Sequence, residues 1–326
     1  MSGWDADPFF GALAAADEQA AIACVLGRVD AGADPVDVML DLVAPAQREV
    51  GRRWAIGEWT VVREHAATAV SEAAVAALAA RVAVLVAPRG HAAVACAERE
   101  WHSLPARLVA HTLRRDGWRA TYLGASTPPA QLVRFLDESG ADAVAVSCSV
   151  AASLPAARRL IEAVRESGRP VLAGGPAFGR DAHRALALGA SAWTSDPRQA
   201  AELLDELVGN AGPAPPLRHA GADEHAELAL RFADFRREAM RRWTALADGA
   251  LPGADLAADL VDHALHALGA ALLSNDPGVL KDAQEWSTDL IAARGCPRET
   301  ARGLWTAVRQ TVGEHLPSAD RALAAI

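Results

Sequence analysis

The stretch Glu100-Trp101-His102-Ser103-Leu104-Pro105 carries the most explicit chemistry in this chain. A neutral imidazole is a good ligand for a transition metal, and a nearby carboxylate can fix its tautomer and orient its ring. Glu100 and His102 stand in that relation, two residues apart. A lone loop histidine is more often a surface residue, so its setting decides its weight. The motif follows an apolar run at 82–86, read as a strand. It precedes a run from Ala106 to Gly117 with Leu108, Val109 and Leu113 on one face, read as a helix. A loop after a parallel strand opens at the sheet edge where α/β folds bind ligands. Gly124, Ser147-Cys148-Ser149 and Gly174-Gly175 end later strand-like runs. Their lack of bulk would let a large flat ligand approach the backbone.

These groups need a scaffold, and the hydrophobicity pattern describes one. Strand-like runs at 82–86, 119–123, 142–147, 170–173 and 191–194 alternate with helical runs near 104–116, 128–139, 153–167, 180–188 and 197–208. Five such units imply a doubly wound parallel sheet over 82–208. No G-x-G-x-x-G follows the first strand, which argues against ordinary dinucleotide binding. Residues 1–81 read as an α-helical bundle, with helices over 17–28 and 35–53 and an alanine-rich one from Thr60 to Arg81. Asp34-Pro35 is a helix-start signal. A Pro/Gly-rich linker at 209–220 leads to a C-terminal all-α domain, 221–326, with helices expected at 223–248, 252–274, 277–294 and 297–315. The fold class is therefore multidomain: helical bundle, central α/β sheet, helical C-terminus.

Composition narrows the function classes. The 326 residues are 51% hydrophobic, enough for real cores, and the net charge of −9 with no basic stripe argues against nucleic acid. Cys24, Cys96, Cys148 and Cys296 form no C-x-x-C pair and no signal peptide precedes the bundle, so a reduced, cytoplasmic protein is expected. No uninterrupted apolar run reaches the roughly 18 residues of a membrane span. Trp59 reads as core, and His91, His111, His183, His219 and His225 read as surface or linker residues.

The central region resembles the cobalamin-binding domain shared by methionine synthase, corrinoid carriers and cobalamin-dependent photoreceptors. That family carries an Asp/Glu-x-His-x-x-Gly loop, a Ser-containing element and a Gly-Gly element, in that order. Glu100 to Pro105, Ser147-Cys148-Ser149 and Gly174-Gly175 match, with Pro105 in place of the final Gly. The resemblance implies that His102 is the lower cobalt ligand. It places Glu100, Trp101, Ser103, Leu104, Ser147, Ser149, Gly174 and Gly175 around the cofactor. In the bundle, Trp54 is followed ten residues later by Glu64-His65. This resembles the CarH-type light sensors, which implies adenosylcobalamin as cofactor, Trp54 and Glu64 beside its upper adenosyl group, and His65 as the upper ligand after light breaks the Co–C bond. Trp54 could also be plain core, and Glu64 a helix cap.

The chain departs from those sensors at both ends, lacking an N-terminal helix-turn-helix and adding C-terminal helices. That layout resembles photocobilins, in which a cobalamin module is joined to a globin-like domain holding biliverdin. His263, His266, Arg241, Arg242, Trp286 and Arg294 are the candidate bilin contacts; histidines at i, i+3 share a helix face and arginines suit propionates. The expected function is a non-enzymatic light sensor that signals through an unidentified protein effector or through light-dependent homo-oligomerisation. The alternative is a corrinoid methyl carrier of a methyltransferase system.

Overall fold

A computed structural model describes residues 4, 7–83, 88–247 and 249–326. Local chemistry starts each N-terminal helix. Helix α1 (Pro8–Ala15) begins where Asp7 accepts hydrogen bonds from the backbone N–H of Phe9 and Phe10, with Pro8 at the first turn. Helix α2 (Glu18–Asp30) is capped by Asp17, and α3 (Pro35–Val38) by Asp34, as the Asp34-Pro35 signal predicts. The helix expected over 35–53 is continuous but not uniform. A π-turn at Met39–Val43 separates α3 from α4 (Ala44–Ala55). Thr60 then caps α5 (Val61–Ala79). The bundle's core holds Phe9, Phe10, Met39, Val43 and Trp59; the last is buried, as expected.

Five strands form one parallel sheet among the described residues: β1 (His91–Cys96), β2 (Arg119–Tyr122), β3 (Ala143–Ser147), β4 (Val171–Gly174) and β5 (Ala192–Thr194). Their order is β2-β1-β3-β4-β5. Between them run α6 (Leu104–Arg115), α7 (Pro129–Ser139), α8 (Leu154–Glu166) and α9 (His183–Ala187), and α10 (Ala200–Leu207) follows β5. This is the doubly wound order whose direction reverses between β1 and β3, the position where such sheets bind ligands.

The first strand is displaced from its expected place. The run at 82–86 does not supply it: Val82 and Ala83 are non-helical residues after α5, and 84–86 lie outside the described residues. The strand is His91–Cys96, buried throughout. Its alanines carry little strand signal, whereas the valines upstream do. His91 is also buried rather than superficial. Its Nε2 lies 2.8 Å from Thr121 Oγ1, and its backbone N–H donates to Asp142. His111 is buried on α6, and burial, reinforced by Arg114 and Arg107, pushes its imidazole down to about 4. His183 is exposed, and His219 and His225 are half-buried.

After the linker come α11 (Ala220–Leu230), α12 (Phe232–Leu246), α13 (Ala254–Ser274), α14 (Gly278–Ala293), α15 (Arg298–Val312) and α16 (Pro317–Ala324). The helix expected over 223–248 breaks at Arg231, because its halves have different partners: α11 packs on α13 and α12 on α15. Asn275, in the left-handed region at φ 51°, ends α13. With a mean hydropathy of 1.3 over an 18-residue window, α13 has the length and composition of a membrane span, though aspartates interrupt its apolar run; 67% of that window is buried inside the protein. It packs on α8, α9 and the 3-10 turn Ala151–Ser153, and one hydrophobic cluster joins the sheet to the C-terminal helices. Arg184 pairs with Asp276 at 2.6 Å and Asp282 at 3.0 Å across this junction. The bundle meets the sheet at an ionic rim, where Arg115 approaches Asp37 at 3.1 Å and Arg198 reaches Asp37 and Asp41 at 3.1 and 2.8 Å.

A shared core predicts shared unfolding. Leu268, fully buried in α13, should cost about 2–5 kcal/mol on substitution by Ala. In calorimetry, the sheet and C-terminal helices should melt together at a lower temperature. Two separate transitions, only one of them shifted by Leu268→Ala, would show that the cores are independent.

Candidate functional site

The strand ends align across the sheet. Cys96 is in register with Ser147, Ser147 with Gly174, and Gly174 with Thr194. Two residues back, Val94, Ala145, Leu172 and Ala192 form a parallel row on the same face. Ser147, Gly174, Thr194, Val94, Ala145 and Leu172 all line one cavity of about 970 Å³, roofed by α4 and α5. That volume is at the upper end for small-molecule sites. The glycines have distinct reasons. A Cβ on Gly175, whose φ is +103°, would lie 2.4 Å from the Cys148 carbonyl oxygen, and one on Gly174 would lie 3.2 Å from that of Thr194. At Gly175 the backbones therefore converge more closely than a side chain allows, and at Gly174 a side chain would fit only tightly.

The β1–α6 loop is organised by a buried carboxylate. Glu100 is 0% exposed. Its Oε1 accepts from the backbone N–H of His102 at 2.9 Å and lies 2.6 Å from His102 Nδ1; its Oε2 accepts from the backbone N–H of Ser149 and Val150 at 2.8 and 3.2 Å. Burial pushes the carboxyl up, but these donors outweigh it and leave Glu100 below the ordinary carboxylate range. The same contact raises the affinity of the His102 imidazole for a proton, against its partial burial. A carboxylate on Nδ1 makes Nε2 the more basic ligand. Tyr122 Oη donates to the Ser103 carbonyl at 3.2 Å, and the Ser126 backbone N–H to that of Glu100 at 3.0 Å, holding the loop from the neighbouring strand. Pro105, where the resembled motif has Gly, falls in the first turn of α6, where no backbone N–H is needed.

The sequence-derived residues converge. Trp54, Glu64, His65, Trp101, His102, Ser103, Leu104, Ser147, Ser149, Gly174 and Gly175 line the cavity; Glu100 lies behind His102 rather than on the surface. Trp101 is 72% exposed. On the roof, Val61, Glu64, His65, Thr68 and Glu72 form one stripe of α5, and Ala44, Gln47, Arg48, Gly51 and Trp54 one of α4. Gln47 Nε2 donates to Thr68 Oγ1 at 2.6 Å, and Thr68 Oγ1 to Glu64 Oε1 at 2.8 Å. His65 is 72% exposed, with Nε2 3.6 Å from Glu64 Oε2. Gln47, Thr68 and Thr194 were missed by sequence reasoning. Helical spacing from Trp54 and Glu64 marks the first two; Thr194 becomes visible only through strand register.

The candidate bilin contacts fall differently. Trp286 lines the same cavity and packs on Trp54, ring centroids 6.4 Å apart; His263 packs on Trp286 at 4.4 Å. His266 lies against Phe232. Arg241 and Arg242 both bind Glu238, at 2.8 and 2.5 Å, and Arg294 abuts Gly57 of the bundle. Of this set, Trp286 alone borders the large cavity.

The donor set fits a corrinoid. A corrin ring brings its own equatorial nitrogens to cobalt, so the protein need offer only axial groups, and imidazoles face the cavity from its floor and its roof. The nearby thiols do not compete: burial pushes Cys96 up to about 12 and Cys148 well above its ordinary value. Ser149 Oγ is buried at the cavity edge with no hydrogen-bond partner among the described residues, a polar atom still to be satisfied.

Comparison with known proteins agrees. Two models, each described as a B12 binding domain, match residues 6–79 and 90–202. A protein of Myxococcus xanthus named HTH-type transcriptional repressor CarH is 30% identical over 166 residues, 49% of this chain; the match spans about half, 54%, of that relative. The solved monomethylamine corrinoid protein of Methanosarcina barkeri shares the fold, with a TM-score of 0.53 at 17% identity over 62% of this chain and 97% of its own. Residues 6–202 thus hold a cobalamin-binding module. Replacing Glu100 with Gln removes the charge behind His102. Cobalamin affinity, read by absorption titration, should fall about 10- to 100-fold and His102→Ala should weaken it at least as much. Unaltered affinity in both variants would remove this loop from the site.

Proposed function

We propose that this chain is a light-responsive sensor. In this reading the module binds adenosylcobalamin, and the C-terminal helices take up biliverdin as a second chromophore. The observation that carries the reading is the placement of Trp54, Glu64 and His65 on the roof of the cavity whose floor holds His102. When bound, adenosylcobalamin would supply a cobalt–carbon bond that visible light cleaves. This chain's residues supply the response. His102, oriented by Glu100, holds the cofactor from the sheet side. Trp54 offers an aromatic wall for the adenosyl group, and Glu64, steadied by Thr68, offers an acceptor to its polar edge. His65 would take up the metal after light: its exposed imidazole lies outside hydrogen-bond distance of Glu64. Ligation from both walls would draw α5 toward the β1–α6 loop. That shift is the output, delivered to a protein effector or through association of copies of the chain. No catalytic role is assigned.

A methyl carrier for methyltransferases is the second reading, since it can use the same module. Such a carrier needs its bundle to swing clear of the cofactor. Here Trp54 packs on Trp286, and Gly57 approaches Ala293 and Arg294, so C-terminal helices hold the bundle in place. This contact favours the sensor. For biliverdin, the supporting features are His263 and His266 on one face of α13 and the arginine at the end of α14. Arg241 and Arg242 would first have to exchange Glu238 for a propionate.

Protein loaded with adenosylcobalamin in the dark is expected to change its visible spectrum on illumination and to acquire the signature of two nitrogen axial ligands. His65→Ala should still respond to light but without that signature. An illuminated spectrum identical to wild type would exclude His65 from the switch. Added biliverdin is expected to give a structured red band that saturates near one equivalent and weakens in His263→Ala; the spectrum of free biliverdin would remove the second chromophore.

A further inference from the structure

We infer that Trp286, carried by the C-terminal helices, is a wall of the cobalamin site and determines which upper ligand that site prefers. The inference rests on the cobalamin reading above and adds a residue from outside the module. Among the described residues lining the cavity, Trp286 alone comes from beyond the linker. It stands at the roof end. Its indole lies 6.4 Å from Trp54 of α4, with the ring planes inclined by 36°. Two indoles from separate domains therefore border the space above the sheet.

Trp286 is not free to retreat. His263 packs against it at 4.4 Å, inclined by 42°. Burial, with a smaller contribution from His266, pushes the His263 imidazole down to about 4, so it is an uncharged packing partner at neutral pH. The next residue, Ser287, is fully buried and accepts from Trp305 Nε1 at 3.0 Å. One turn before Trp286, Asp282 is paired with Arg184 of the sheet domain. The helix carrying Trp286 is thus fixed from both sides. A fixed indole beside a second indole presents faces and edges to an aromatic substituent, an arrangement that favours a nucleoside over a small group. A hydroxide or methyl on cobalt offers no such surface. The preference for a nucleoside-bearing cobalamin then depends on the C-terminal helices as well as on the module.

The test uses the full chain and two probes, adenosylcobalamin and hydroxocobalamin, titrated in the dark by absorption. Trp286→Ala should weaken adenosylcobalamin about tenfold and change hydroxocobalamin by less than about twofold. Trp286→Leu, which keeps an apolar side chain but no ring, should alter the ratio in the same direction, and it decides the matter if the alanine variant fails to fold. Equal weakening of both probes, or an unchanged ratio, would overturn the inference and leave Trp286 a structural residue. If wild-type protein takes up neither probe, the cobalamin reading falls, and this one with it.

Discussion

A carboxylate with no exposure to solvent can stay ionised only if every part of its charge is met. Glu100 meets that condition with donors from two loops: the backbone and ring of His102 on one oxygen, and the backbone of Ser149 and Val150 on the other. The remaining site geometry depends on this arrangement. The β1 and β3 loops are tied together where the sheet reverses its winding, so the floor of the cavity is a single rigid piece. The tie also bears on why Gly175 must be glycine: Cys148, whose carbonyl oxygen a Cβ there would meet at 2.4 Å, directly precedes Ser149 and Val150, the two residues that bind Glu100.

The bundle contributes the opposite wall by a different means. Helices α4 and α5 place polar residues at spacings of three and four, and the Gln47–Thr68–Glu64 chain fixes one of them. The π-turn at Met39–Val43 precedes this surface, and its extra residue per turn sets the rotation at which α4 faces the cavity. His65 on this wall keeps its side chain largely in the open, as the proposed exchange of partners requires.

Much of this arrangement is legible in the sequence because it is local. The loop motif, the Trp54–Glu64–His65 spacing and the small residues at the strand ends lie in short segments whose chemistry is visible at once. What escaped notice depends on contacts between distant segments. The valines of 82–86 carry the stronger strand signal, because Ala-Ala-Val-Ala looks neutral until neighbours on both sides bury it. His91 and His111 look superficial for the same reason. Thr194 joins the site only through register with Gly174, and Trp286 through packing of a domain some two hundred residues downstream of Trp54.

The ways in which the bundle is held also differ in kind. Toward the sheet it has the ionic rim of Arg115, Arg198, Asp37 and Asp41, exposed enough to be screened within a Debye length of about 8 Å at physiological salt. Toward the C-terminal helices it has the Trp54–Trp286 contact, which salt does not weaken. Rising ionic strength therefore weakens the rim but not the Trp54–Trp286 contact, nor the packing of Leu104 and Leu108 of α6 into the bundle core. The bundle is thus clamped over the cavity by apolar contacts on both sides, and salt should alter the edge of the cofactor's entrance more than the grip on what has entered.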